Sequence, residues 1–189
     1  VVDSSTPTLI ATSGTVTSVL NTDAGACSYK VKGSELDPIG SDNCTGTTLT
    51  YSVTGATTIS GTSSLAGVTL LKGDNVISWT VSDGTNTSVP LVFTKTVKDN
   101  QAPSVTTVGS KYRGTTAGVC DYQIIGTEFD ATYSDNCSVV SVSYTINSEP
   151  TVVSSTLSGV TLSKGINNIV WTVSDGVNEK SSSFRVTVT

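Results

Sequence analysis

Asn75-Val76-Ile77-Ser78-Trp79-Thr80-Val81-Ser82-Asp83-Gly84 decides the fold. Ile77, Trp79 and Val81 fall on one face, and Val76, Ser78 and Thr80 on the other. A period of two with one apolar face is a half-buried β-strand. Asp-Gly at its end reads as a hairpin turn needing positive φ. The stretch returns 92 positions later as Asn167-Asn168-Ile169-Val170-Trp171-Thr172-Val173-Ser174-Asp175-Gly176. Each tryptophan is expected to anchor a core, and the strand is expected to occur once per module.

Working outward, the rest of the chain repeats as well. Ser41-Asp42-Asn43-Cys44 returns as Ser134-Asp135-Asn136-Cys137, and Ala24-Gly25-Ala26-Cys27 as Ala117-Gly118-Val119-Cys120, both 93 positions on. Asp3 with Pro7 returns as Asp99 with Pro103. Two modules follow, 1–97 and 98–189, each the size of an immunoglobulin-like domain. Strands are expected at 27–31, 48–53, 68–71, 75–81 and 91–97, and again at 120–125, 139–146, 160–162, 167–173 and 183–188. Short strands between turn signals give an all-β fold, two tandem immunoglobulin-like Greek-key β-sandwiches. The linker Lys98-Asp99-Asn100-Gln101-Ala102-Pro103 is short and closed by Pro, so the modules are expected end to end.

Composition narrows the function. The 189 residues carry 15 acidic and 10 basic side chains, a net charge of −5, with no His and no Met. Ser and Thr make up about a third of the chain. The negative charge argues against nucleic acid as a partner. Without His, histidine acid–base chemistry, Ser–His or Cys–His nucleophile pairs and His-ligated zinc are excluded. No apolar run approaches a membrane span. The missing Met and signal peptide point to a segment of a longer polypeptide.

Four cysteines, two per module, favour disulfides within each module: Cys27 with Cys44, and Cys120 with Cys137. A loop of this length stabilises a fold by roughly 3 kcal/mol. The competing readings, a zinc site or a redox pair, lack the His or the CxxC spacing they need. Disulfides imply an extracellular location.

Acidic positions repeat and basic ones do not. Asp3, Glu35, Asp37, Asp42 and Asp83 match Asp99, Glu128, Asp130, Asp135 and Asp175, whereas only Lys72 and Lys164 match among the bases. In an immunoglobulin-like sandwich the start of the first strand, the B–C segment and the F–G turn share one end. The acids are therefore expected to converge there and to bind a hard, oxygen-seeking cation, Ca²⁺, at the 98–103 linker. The first module would build a matching site from its own set. The opposing reading is that Asp-Asn and Asp-Gly serve turns alone.

The ordered motifs are Asp-x-x-x-Pro, Ala-Gly-x-Cys, Ser-Asp-Asn-Cys, Lys-Gly-x-Asn and Trp-Thr-Val-Ser-Asp-Gly-x-Asn, each present twice. This set resembles the hyalin-repeat-like (HYR-like) immunoglobulin-like modules of large secreted surface proteins of Bacteroidota, including gliding-motility and adhesion proteins. The resemblance implies a tandem β-sandwich on the cell surface in a spacer or adhesive role, and it also implies the two within-module cysteine pairs. Many such modules carry a second cysteine pair that is absent here.

The expected function is a non-catalytic structural stalk of a bacterial surface adhesin, monomeric, with neighbouring repeats of the same chain as partners. The alternative is a ligand-binding module for surface glycans or proteins. Its candidate aromatics are Tyr29, Tyr51, Tyr112, Tyr122, Tyr133 and Tyr144. The recurrence of Tyr29/Tyr122 and Tyr51/Tyr144 favours packing for those four. Paired acids such as Glu35 and Asp37 could do glycosidic chemistry, but a small module with no cleft argues against an enzyme.

Overall fold

The computed structural model describes residues 3–44 and 46–189. Residues 1, 2 and 45 of the first repeat lie outside them. The chain divides into two compact units, Val1–Asp99 and Asn100–Thr189.

In the first unit the strands are β1 (Thr8–Ile10), β2 (Ser18–Asn21), β3 (Ser28–Lys30), β4 (Ile39–Ser41), β5 (Thr48–Gly55), β6 (Ile59–Thr62), β7 (Thr69–Leu71), β8 (Gly73–Ser82) and β9 (Leu91–Lys98). One layer is a five-stranded sheet in the order β2-β9-β8-β5-β6, parallel only between β2 and β9. The ladders β1–β4 and β3–β7 supply the opposing layer.

β8 behaves as its alternation requires. Asn75, Ile77, Trp79 and Val81 are buried, and Trp79 has no exposed surface. Tyr51 of β5 packs against it, with ring centroids 5.2 Å apart. Leu36, Leu65 and Leu70 close the cluster from the other side. The first strand is interrupted by a single 3₁₀ turn, Ser13–Thr15, which transfers the chain from β1 in one layer to β2 in the other. Gly14 permits that transfer. A Cβ there would stand 1.6 Å from the Glu35 carbonyl oxygen, so no other residue fits without moving backbone.

The second unit repeats the plan with β10 (Ser104–Thr106), β11 (Lys111–Arg113), β12 (Asp121–Gln123), β13 (Thr132–Ser134), β14 (Ser141–Ile146), β15 (Val152–Val153), β16 (Thr161–Ser163), β17 (Gly165–Ser174) and β18 (Glu179–Val188). Its large sheet runs β11-β18-β17-β14-β15, faced by the ladders β10–β13 and β12–β16. Trp171 is again fully buried, with Tyr144 5.3 Å away edge-on. Both units are immunoglobulin-like Greek-key sandwiches.

The Lys-Gly-x-Asn motif closes the turn into the long central strand. Gly73 and Gly165 take φ of 119° and 112°, a region open to Gly. The following Asn is buried, and its amide nitrogen satisfies carbonyls that the turn strands: Leu71 and Gly73 for Asn75, Ser163 and Gly165 for Asn167.

The expected within-module cysteine pairs are not formed: Cys44 and Cys120 are free and exposed, while Cys27 and Cys137 are disulfide-bonded. The reason is distance. Cys27 precedes β3 and its carbonyl accepts from the Lys72 N–H, just before β8 begins. Cys44 stands beside Asp3, in the field of Asp83, just after β8 ends. A ten-residue strand spans roughly 33 Å, whereas a disulfide needs Cα atoms about 4.4–6.8 Å apart. Cys120, beside β12 and the start of β17, and Cys137, beside Asp135, are kept apart in the same way.

Candidate functional site

The first unit gathers Asp3, Asp42 and Cys44, whose ligating atoms lie within 4.8 Å of one another. Asp99, Asp135 and Asp175 are grouped within the same limit. The two groups draw on equivalent motifs, Ser-Asp-Asn-Cys and the acid that opens each repeat. They differ in the third member, a thiol in one and the F–G carboxylate in the other. Asp83 is close enough for its charge to act on Asp3 and Cys44.

Local geometry fixes most of these side chains. Asp83 Oδ1 accepts the N–H groups of Thr85 and Asn86, both at 2.6 Å, and Asp175 Oδ1 accepts those of Val177 at 2.7 Å and Asn178 at 2.6 Å. Gly84 and Gly176 follow with φ of 94° and 91°, as a tight turn demands. The backbone N–H of Asn86, joined by that of Thr85, holds the Asp83 carboxyl below its ordinary range, and the Ser5 N–H does the same for Asp3. Asn86 and Asn178 complete the motif. The Asn86 side-chain amide donates to the Ser5 carbonyl at 2.8 Å and that of Asn178 to the Gln101 carbonyl at 3.1 Å, tying each F–G loop to the chain entering its module.

In the second group Asp99 Oδ2 is ion-paired with Lys72 Nζ at 3.8 Å, and one further oxygen in each group is left over. Asp3 Oδ2 and Asp135 Oδ1 are out of contact with solvent and have no hydrogen-bond partner among the described residues. A buried carboxylate oxygen without a donor is costly, and a cation is one way to meet that cost. The all-carboxylate set Asp99, Asp135 and Asp175 suits a hard divalent ion. The set containing Cys44 suits it less, because a thiol is a soft ligand.

Glu35, Asp37, Glu128 and Asp130 are not in these groups. Asp37 accepts from the Ser64 hydroxyl and the Leu65 N–H, and Asp130 from the Leu157 N–H at 2.7 Å, so each fastens the loop ahead of β7 or β16. Glu35 accepts from the Tyr29 hydroxyl and the Lys32 N–H, both at 2.6 Å. Burial, aided by that anion, pushes the Tyr29 hydroxyl up to about 12. Glu128 accepts from Tyr122, from the Ile125 N–H and from the Arg113 guanidinium, whose Nη2 is 2.6 Å away. Arg113 also lies over the Phe129 ring, 5.0 Å from its centroid.

Bases that answer these glutamates occupy unmatched positions, where a comparison of the repeats does not look. Arg113 enters on β11. Lys95 enters on β9, buried, donating to the Val16 carbonyl at 2.8 Å and to Ser18 at 2.6 Å, with Glu35 acting on it across space. Tyr51 and Tyr144 are core residues and Tyr29 and Tyr122 serve the glutamates, leaving Tyr112 and Tyr133 as the exposed tyrosines.

Glu128 makes the stability of its module depend on pH. Burial raises its pKa, but Tyr122 and then Arg113 outweigh burial and hold it below its ordinary 4.5. The unfolded chain therefore takes the proton first, and the stabilisation is present above the ordinary value and lost as pH falls through the lowered one. Glu128→Gln is expected to lower Tm at neutral pH by a few degrees, about 1 kcal/mol or less for so solvated a pair. It should also flatten the acid limb of the Tm–pH curve. A Glu128→Gln variant with the same acid limb as the parent would reject this assignment.

A scan of family models finds no match to this chain. No curated protein matches it in sequence either. Solved structures do match. A crystal structure of the N-terminal four Ig domains of Dscam1 isoform 6.9 aligns at 12% identity over 97% of this chain and 46% of its own length, with a TM-score of 0.46. The chain thus spans about half of that fragment. Drosophila N-cadherin EC1-3 aligns at 12% identity over 98% of this chain and 68% of its own, with a TM-score of 0.34. Human mucin-like protocadherin EC1-2 aligns at 11% over 97% and 98%, with a TM-score of 0.37. These are likenesses to immunoglobulin-type and cadherin-type sandwiches. No helix among the described residues is long and apolar enough to cross a membrane.

Proposed function

We propose that this chain is a non-catalytic structural segment of a secreted bacterial surface adhesin, of the HYR-like kind found in Bacteroidota, and that it acts as a stalk. The recurrence of a whole sandwich carries this reading, with the same turn motifs in each copy and, in each, the opening Asp grouped with the Asp of Ser-Asp-Asn-Cys. Repeats of this kind build quasi-one-dimensional rods. A cell-surface setting fits the disulfide-bonded Cys27 and Cys137. Neighbouring repeats would be its partners.

In this reading Asp99, Asp135 and Asp175 bind Ca²⁺ at the 98–103 linker and stiffen it. The uncompensated Asp135 Oδ1 supports the choice. Ca²⁺ prefers six to eight oxygens, so backbone carbonyls and water would complete its shell. Isothermal titration with CaCl₂ is expected to give heat from the parent and none from an Asp135→Asn, Asp175→Asn double variant. Saturation at 100 times Kd should add about 2.7 kcal/mol to stability, read as a rise in Tm that EGTA reverses. Silence in both measurements ends the Ca²⁺ assignment and leaves the stalk resting on the repeat alone.

A further inference from the structure

The small two-stranded ladders leave a strand edge bare in each unit, and the two units treat it differently. In the second unit β16 has β12 on one side and no strand among the described residues on the other. The Ile124 N–H donates to the Val160 carbonyl at 2.9 Å, so Val160 and Leu162 bond toward β12, while the N–H groups of Thr161 and Ser163 point outward. β7 has the same phase in the first unit, where the Val31 N–H donates to the Val68 carbonyl at 2.9 Å and the Leu71 N–H points outward. There the edge is capped, by Thr57 Oγ1 at 2.8 Å from the Leu71 nitrogen.

The second unit has lost that cap. Val53 pairs with Ile77 and Ile146 with Ile169, which sets the two copies in a common register. Four residues on from Val53 is Thr57, and four on from Ile146 is Pro150, which has no hydroxyl. The loop is also shorter. Tyr51 pairs with Gly61, ten residues on, whereas Tyr144 pairs with Val152, eight residues on. Asn147 and Ser148 take φ of 54° and 65°, and the Glu149 N–H closes on the Ile146 carbonyl at 2.9 Å, a hairpin turn of type I′. In the first unit the longer loop reaches the turn into β8, where the Ala56 N–H donates to the Asp74 carbonyl at 2.8 Å. The shorter turn leaves a cavity of about 380 Å³ beside the bare edge. Tyr144, Ile146, Pro150, Val152 and Val160 line it, with Glu149 as its charged lining residue.

We infer that this edge of the second unit docks an extended, basic peptide segment of a partner protein, which adds to β16 as a further strand, places an apolar side chain in the cavity and sets a Lys or Arg against Glu149. The bare edge calls for extended backbone, because main-chain groups presented in series are matched by another strand. The largely aliphatic wall calls for an apolar side chain at an alternate position of that strand. The charge calls for a basic segment, since Glu149 stands at the cavity and the chain as a whole carries −5. A second copy of this chain would bring the same negative charge to the edge, which disfavours self-pairing. The site lies wholly within the second unit, so it depends on neither the stalk nor Ca²⁺.

The test is titration of the isotope-labelled 189-residue chain with blocked synthetic peptides, followed by amide NMR. In these peptides Thr alternates with Val, one Val is replaced in turn by Leu, Ile or Phe, and a single Lys is moved along the sequence. Binding by at least one peptide is expected, with shift changes concentrated at Glu149, Val152 and Thr161–Ser163 and slower hydrogen exchange of the Thr161 and Ser163 N–H groups. Methylating the peptide nitrogens along one edge should abolish binding. Glu149→Lys, an exposed change, should weaken binding of the Lys peptide by roughly two- to fivefold, the worth of one exposed ion pair, and favour a peptide carrying Glu instead. Absence of shifts with every peptide would overturn the inference. So would equal shifts at β7, binding that survives methylation, or equal binding of the Lys and Glu peptides.

Discussion

Trp171→Ala is expected to remove roughly 3–5 kcal/mol from the second module, the range for a large aromatic deleted from a packed core. A domain of this size holds about 5–15 kcal/mol in all, so the module should melt far below its neighbour or fail to fold at about 37 °C. The size of the effect follows from position. Trp171 is fully buried, Tyr144 packs edge-on against it, and its indole N–H donates to the Phe129 carbonyl at 3.1 Å. Trp79→Ala should do the same to the first module.

The conservative variants separate the two. Trp79 Nε1 is buried with no hydrogen-bond partner among the described residues. Trp79→Phe therefore gives up volume alone, whereas Trp171→Phe also strands the Phe129 carbonyl, a further cost of about 1–3 kcal/mol. Urea unfolding followed by far-ultraviolet circular dichroism reads both modules, and the fluorescence of the remaining tryptophan marks the transition of the unmutated one, so the other transition belongs to the altered module. Equal midpoint losses for the two Phe variants would contradict the hydrogen-bond argument, and a near-native Trp171→Ala would contradict the core assignment itself.

The second large effect is expected at Asn75. Asn75→Asp keeps shape and volume but replaces the donating amide with a carboxylate facing the carbonyls of Leu71 and Gly73, which the amide serves at 3.0 and 3.1 Å. Asn75 has no exposed surface, so the charge would be buried and uncompensated. Such a charge costs about 3–5 kcal/mol. Asn75→Ala should cost less, about 2 kcal/mol, because it strands the same carbonyls without adding charge. The Asn75→Asp variant should regain stability as pH falls and the introduced carboxylate takes up a proton, and the Asn75→Ala variant should not. Asn167, bonded to the Ser163 and Gly165 carbonyls at 2.8 and 3.3 Å, is expected to respond in the same order. Were the Asp and Ala variants equally stable at neutral pH, the turn-locking role would be wrong.

Strands that the sequence revealed are those whose pattern is written in their own side chains. β8 and β17 alternate over ten residues, and β3, β5, β7 and β9 fall within a few residues of expectation, as do their counterparts. The first-module segments that escaped notice are β1, β2, β4 and β6. Ile39–Ser41 has three residues, with Ile39 and Ser41 exposed and Gly40 between, so no periodicity can mark it. Its existence depends on β1 lying beside it, a partner some thirty residues away along the chain. The break between β1 and β2 is likewise set by the Glu35 carbonyl against Gly14.

The acids divide along the same line. Those next to Asn or Gly in turns, Asp42, Asp83, Asp135 and Asp175, bond to amides two or three residues away, and local sequence announces them. Glu35 and Glu128 look alike in a repeat alignment, yet the base that feels the first is Lys95 on β9 and the base that bonds the second is Arg113 on β11. A positional comparison cannot see a partner that has moved to another strand.

Local sequence by itself determined the duplication, the sandwich class, the buried tryptophans and the tight turns, because each rests on side-chain period or on φ preferences within a few residues. Only the tertiary structure decided which cysteines can pair and which acids meet. Those outcomes depend on which end of a strand about 33 Å long a residue occupies, and a spacing of 17 positions along the chain carries no record of it.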